Sequence, residues 1–167
     1  MKLYRFSPIK NEEQLIEAIK YTHFTSFELC KKVLGKYLPI AGNIGIFCHY
    51  KDEFKFLTKL QEELTDSRVS FNGKYFRLYK PIIISAQDNI PEVTYEYLYI
   101  RQPDRFRPQV GDVDFVINKN EFGEIQNSKI MNGVEIFYKS DIDMCEFFNP
   151  DFDILVYLTT KTVAKAI

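Results

Sequence analysis

Residues 93–100 read VTYEYLYI, a two-residue alternation held over eight positions. Side chains of a strand point alternately to its two faces, so Val93, Tyr95, Tyr97 and Tyr99 fall on one side. Thr94, Glu96, Leu98 and Ile100 fall on the other. On the N-terminal side of this strand, residues 69–71 and 74–78 flank Asn72-Gly73. Both turn residues tolerate the positive φ angles of a type I′ hairpin. Residues 82–84 prolong the strand signal past Pro81, which predicts an edge, a bulge or a break there. On the C-terminal side, strands are predicted at 112–117 (DVDFVI), 134–138, 143–148 and 153–158. A short helix over 118–132 interrupts them, opened by the capping pair Asn118 and Glu121 and continuing despite Gly123. Thr159 or Thr160 would cap a last helical turn.

Upstream the periodicity changes to that of helices. Asn11 sits three residues before Gln14 and opens a helix carrying Leu15, Ile16 and Ile19. Thr25 and Glu28 repeat the pattern before Phe27, Cys30, Val33 and Leu34, and Gly35 supplies the stop. The β-branched and aromatic joint at 21–25 favours two helices; one continuous helix would place His23 on the apolar face. Residues 2–7 alternate as a short strand ahead of Pro8. Residues 43–50 (NIGIFCHY) read as an interior strand, followed by a helix with Asp52 and Glu53 at its start and a Leu57, Leu60, Leu64 stripe. Helices concentrated in 11–65 and strands in 68–158 predict the α+β class. N-terminal helices would pack on one face of a largely antiparallel β-sheet, in a single domain over 1–167. No internal repeat, linker or low-complexity stretch is visible.

Composition narrows the function classes. A chain of 167 residues is one domain's worth. Its 46% hydrophobic and 27% charged residues exclude disorder. With 22 basic against 23 acidic residues, a strongly basic nucleic-acid protein is excluded. Aromatic residues, 15 Phe and 11 Tyr, outnumber the basic ones, so the question is where they go. Cys30, Cys48 and Cys145 are odd in number and lack metal-type spacing, which fits buried thiols in a reducing cytoplasm. The N-terminus has no secretory apolar region, and no apolar run approaches the roughly 20 residues of a membrane span. A cytoplasmic location with no membrane partner is expected.

Three Asp-x-Asp pairs stand out: Asp112/Asp114, Asp141/Asp143 and Asp151/Asp153. Residues two apart on a strand share a face, so such a pair can present two carboxylates to one Mg²⁺ or Mn²⁺ ion. Asp112/Asp114 follows RQPDRFRPQVG, whose Arg101, Arg105 and Arg107 have the chemistry to clamp an anion. Asp at strand ends is equally common turn chemistry, and alternating Arg and Asp can form solvated ion pairs. The loop is nevertheless long for a hairpin connection, and long loops on rigid sheets carry function. Cys48 and His49 are adjacent on a strand and face opposite ways, so a Cys-His mechanism would need His23 to reach Cys48. Only two histidines occur, and no G-x-S-x-G, P-loop or G-x-G-x-x-G signature is present.

The leading expectation is a non-catalytic binding or accessory domain. Tyr95, Tyr97 and Tyr99 would form a sheet face, with Arg101, Arg105 and Arg107 at its edge, engaging a protein or nucleic-acid partner. The alternative is a metal-assisted phosphate enzyme, such as a small nuclease or nucleotide hydrolase. There Asp112 and Asp114 hold Mg²⁺ or Mn²⁺, and Arg105 or Arg107 neutralises the phosphate. A cysteine enzyme built on Cys48 and His23 is the third reading.

Overall fold

Apolar residues recur at helical spacing from Leu15 to Val33, and the chain answers with one uninterrupted helix, α1 (Glu12–Leu34). The computed structural model describes residues 4–139 and 143–160. The Asn11 side chain caps α1 by accepting from the Gln14 N–H, and Gly35 closes it in the left-handed region at φ 71°. The predicted break at 21–25 is absent. Thr22, His23 and Ser26 continue the buried stripe of Leu15, Ile19, Leu29, Cys30 and Val33. Packing along a continuous stripe outweighs the few tenths of a kcal/mol by which β-branched residues disfavour helix. Residues 4–7 form no strand, and residues 2–3 lie outside the described residues.

The chain then runs β1 (Ile40–Phe47), α2 (Lys51–Leu64), β2 (Thr65–Phe71), β3 (Tyr75–Ile84) and β4 (Val93–Arg101). It continues with β5 (Gly111–Val116), α3 (Lys119–Gln126), β6 (Ile130–Met131), β7 (Val134–Lys139), β8 (Met144–Phe148) and β9 (Leu155–Thr159). Asn72 and Gly73 turn β2 into β3 at φ 56° and 63°, as the hairpin pattern requires. β1 begins and ends earlier than 43–50, so Cys48 and His49 follow the strand. Gly42 and Gly45 lie within the strand. α3 stops at Gln126 with Asn127 as its C-cap, and Asn132 and Gly133 form a second positive-φ turn between β6 and β7. Thr160 is a bend, and the predicted final helical turn beyond it lies outside the described residues.

All nine strands form one mixed sheet in the order β2-β3-β4-β1-β5-β9-β8-β7-β6. β1 is parallel to β4 and β5 is parallel to β9; the other neighbours are antiparallel. The fold is α+β, with the helices on one face of a mostly antiparallel sheet. The order also shows what the sequence concealed: β1-α2-β2-β3-β4 and β5-α3-β7-β8-β9 follow the same β-α-β-β-β order, the second carrying the short β6 as an extra strand at its edge. The two units meet at the antiparallel β1–β5 pair. Registers make the correspondence local. Asn43 and Gly45 sit beside Tyr97 and Tyr99, just as Asp112 and Asp114 sit beside Leu155 and Tyr157.

The core lies between the helices and the sheet. Ile44 and Ile46, Val113 and Phe115, Val156 and Leu158, and Cys145 and Phe147 face Leu15, Phe27, Leu57, Phe122 and Ile125. A smaller apolar group, Phe47, Leu155 and Tyr157 with Met144 and Phe148, occupies the opposite face. No described helix is long and apolar enough to cross a membrane. Cys30, Cys48 and Cys145 are free and buried.

Candidate functional site

The predicted tyrosine face is divided between the two sides of the sheet. Val93 and Tyr95 join the helix-side core, but so do Leu98 and Ile100, so the alternation in β4 changes phase between them. Facing this point, the β3–β4 register slips between Arg77 and Ile82, around Pro81, which has no N–H for the ladder. Tyr95 is therefore core, with its hydroxyl 2.9 Å from His23 Nδ1, while Tyr97 and Tyr99 pair across to Asn43 and Gly45. Tyr97 is only 3% exposed, so that part of the sheet is no open stacking platform.

The face opposite the helices carries two rows of side chains. One runs Tyr97, Asn43, Asp114, Tyr157 and Glu146; the next runs Tyr75, Tyr99, Gly45, Asp112 and Leu155. No described helix covers this face, yet Asp112 and Asp114 are 3% and 4% exposed. Tyr75, Tyr99 and Tyr157 stand around the carboxylate pair on this face. Burial and then the charges of Asp114 and Asp112 raise the Tyr75 phenol, and burial with Asp112 raises those of Tyr99 and Tyr157. This tyrosine-flanked strip, with the carboxylate pair as its floor, is called the trough.

Each carboxylate is placed by its neighbours. Gly45 leaves a hollow in β1 that the Asp112 carboxyl fills; a Cβ at position 45 would fall on Asp112 Oδ1, with Tyr99 Cδ1 also in contact. Asp114 accepts from Asn43 Nδ2 at 2.9 Å. Asp112 Oδ1, Asp114 Oδ1 and Asn43 Oδ1 are buried without a hydrogen-bond partner. Burial pushes both acids well above the usual carboxylate range. Asp114 pushes Asp112 further, while the charges of Arg101 and Lys139 pull it back. The Asn43 bond and Lys139 moderate Asp114. Two like charges on a desolvated strand face oppose each other's ionisation. The Tyr75 and Tyr99 rings pack at 5.2 Å, tilted by 52°, and Lys139 Nζ lies 4.5 Å from the Tyr157 ring centre.

The arginines divide. Arg107 grips Glu146 through two bonds of 2.6 and 3.1 Å, tying the loop to β8. Arg101 pairs with Asp104 at 3.3 Å and lies 5.1 Å from the Phe47 ring centre. Arg105 is exposed and lies 4.6 Å from the exposed Phe106 ring. The predicted clamp of three arginines on one anion is not assembled, because two of them hold carboxylates of this chain. Asp153 accepts from Arg5 and Tyr21, a structural role, and Asp143 accepts from Thr160. Asp141 lies outside the described residues.

The cysteine reading finds no support in the placement of its residues. His23 is fully buried among Phe24, Phe27 and Tyr95, and burial lowers it from 6.5 to about 4. Burial pushes the Cys48 thiol upward, away from a thiolate. His49 is held by Ser7 and the Gln109 carbonyl at 2.6 and 3.0 Å. For a divalent cation the trough offers two carboxylates. Among the described residues no three His, Cys, Asp or Glu side chains group to hold a metal, so an ion there would take most of its coordination from ligand and water.

Sequence reasoning singled out Asp112 and Asp114 and placed Tyr75 on a strand beside the tyrosine strand, but missed Asn43, Gly45, Glu146 and Tyr157. Nothing local distinguishes those residues; only the strand order brings them together. No protein-family model and no curated protein matches the chain. Among solved structures it is similar to one described as "Structural Genomics, Protein EC4020", with a TM-score of 0.65 at 12% identity over 99% of this chain and 96% of that one. At this identity the likeness shows the fold alone. A methylmalonyl-CoA epimerase of Streptomyces coelicolor, in complex with 2-nitronate-propionyl-CoA, aligns at a TM-score of 0.32 and 14% identity, over 73% of this chain and 98% of that one. That overlap is too slight to bear on function.

Proposed function

We propose that the protein binds a small polar ligand in the tyrosine-walled trough, with Asp112 and Asp114 accepting hydrogen bonds from it. The observation that carries this reading is the pair of buried carboxyl oxygens, Asp112 Oδ1 and Asp114 Oδ1, left without partners. A buried acceptor without a donor costs about 1–3 kcal/mol, and a ligand bearing hydroxyl or amino groups would recover it. Aromatic walls around a few convergent polar groups are the usual make-up of a small-molecule site. A protein or nucleic-acid surface is a poorer fit, because Arg101 and Arg107 are already paired within the chain.

Thermal shift with polyols, amino acids, amines and nucleosides, each with and without Mn²⁺ or Mg²⁺, tests the reading. A true ligand at 100 times its Kd stabilises the protein by about 2.7 kcal/mol. The shift should vanish in Asp112→Asn and Asp114→Asn. No response from any compound, or a response that survives both substitutions, would sink it. A shift from Mn²⁺ alone that Asp112→Asn removes would move the assignment to the metal-assisted phosphate reading.

A further inference from the structure

Asp112, Asp114 and Glu146 are buried carboxylates on the strand face that no described helix covers. Arg107 neutralises Glu146 through two bonds. Asp112 and Asp114, by contrast, take part in no ion pair among the described residues. A buried carboxylate is held either by a cation or by a proton, so this pair is open to one more positive group.

The unpartnered atoms narrow the kind of group that fits. Asp112 Oδ1, Asp114 Oδ1 and Asn43 Oδ1 are buried without a hydrogen-bond partner, and each is an oxygen acceptor. Asn43 is wholly buried and donates its amide N–H to Asp114 Oδ2, which leaves its carbonyl oxygen as a neutral acceptor beside the acids. A primary ammonium brings three N–H donors and no acceptor, whereas a hydroxyl brings one donor and two lone pairs of its own. The aromatic rings favour the same group, because ring faces attract cations. Tyr157, the register neighbour of Asp114, already holds one ammonium. Lys139 Nζ lies 4.5 Å from its ring centre, and that charge acts on both acids. Across the pair from Tyr157, the half-buried Tyr75 and Tyr99 supply further aromatic surface. A divalent metal is served less well, since no third His, Cys, Asp or Glu joins the pair among the described residues.

We propose that the trough takes a primary alkylammonium ion, its N–H groups on Asp112, Asp114 and Asn43 and its alkyl chain against the tyrosine rings. The inference rests on the trough reading and narrows its ligand from any donor-bearing compound to a charged amine. Burial, Asp114 and Glu146 favour the protonated form of Asp112, while Arg101 and Lys139 oppose it. The bound ammonium stabilises the carboxylate and releases that proton to solvent, so affinity rises with pH until the pair ionises unaided.

The test is a ¹H–¹⁵N NMR titration of the full chain with n-butylammonium, n-butanol and tetramethylammonium. n-Butylammonium should give saturable shifts at residues 43–45 and 112–114, with tighter binding at about pH 8 than at about pH 6. n-Butanol lacks the charge and tetramethylammonium lacks N–H donors, so each should bind about tenfold more weakly or worse. Asp112→Asn should cost the amine about tenfold or more, and an unchanged spectrum away from the site verifies its fold. Lys139→Met, at an exposed position, should leave binding at least as tight, since it removes a competing ammonium. Equal affinity for tetramethylammonium, no loss in Asp112→Asn, an affinity that does not rise with pH, or weaker binding in Lys139→Met would overturn the proposal. Glycerol and uridine separate the two readings. If either shifts these residues in an Asp112-dependent way while the amine does not, the proposal fails and the trough reading stands. If amine, glycerol and uridine all leave them unmoved, both fail.

Discussion

At the scale of single residues, Asp112 occupies space that Gly45 leaves empty. Gly45→Ala would force the carboxyl out of its place, an overpacking expected to cost about 1–3 kcal/mol in urea unfolding and to abolish any ligand response. Unchanged stability would show that Asp112 has room to move. The acids also set a pH dependence. Because both are held above the ordinary carboxylate range, the folded chain keeps protons that the unfolded chain releases. Stability should therefore fall as pH rises from about 4 toward and past neutrality, and Asp112→Asn should flatten that limb. His23 works in the other direction. Lowered from 6.5 to about 4, it stays neutral in the fold while the unfolded chain takes up a proton, so stability is lost as pH falls through that interval. The two effects oppose each other below pH 6.5, so denaturation midpoints across pH must be compared for Asp112→Asn and His23→Gln separately. A wild-type-like profile in both variants would contradict these assignments. Asp112 and Asp114 were legible in the sequence because two-residue spacing on a strand is a local property. Gly45 was not, because its role depends on a carboxyl 67 positions away.

At the scale of elements, the local signals succeeded where chain direction and packing agreed. Asn11 and Asn118 are real caps, each accepting from the N–H three residues on. Thr25 with Glu28 has the same spacing but lies inside α1, since the buried stripe runs through it. The start of α2 depends on Glu53, 3% exposed, whose carboxylate accepts the backbone N–H groups of Ile9, His49 and Tyr50 at 2.8, 2.8 and 3.3 Å. Glu53→Ala should cost about 3 kcal/mol or more, because it strands buried donors and unfastens the N-terminal segment. Glu53→Gln, which keeps an acceptor, should recover part of that loss. A cost under about 1 kcal/mol for Glu53→Ala would show that water replaces the carboxylate. The phase change in β4 is the opposite case. VTYEYLYI looks like one regular strand, and only its pairing with the irregular β3 around Pro81 sends Tyr95 to the other face.

For the whole molecule, the central fact is the repeated β-α-β-β-β unit and the trough formed across its junction. The Arg107–Glu146 pair links the connecting loop of the first unit to the second. Glu146 is 5% exposed, so Arg107→Ala would leave a buried charge alone, at a cost of about 3–5 kcal/mol. Adding Glu146→Gln should restore most of it, measured as a double-mutant cycle; strictly additive losses would mean that the two residues act independently. What the sequence by itself determined is most of the inventory: the larger helices and strands, where the Asn72-Gly73 hairpin turns, and that helices would cover one face of a mostly antiparallel sheet. Those properties depend on residues a few positions apart. The tertiary structure alone decided that Asn43, Tyr75, Tyr99, Asp112, Asp114, Glu146 and Tyr157 share one face of the sheet. Strand order comes from contacts far apart in the chain, and no local alternation records which strand will lie beside which.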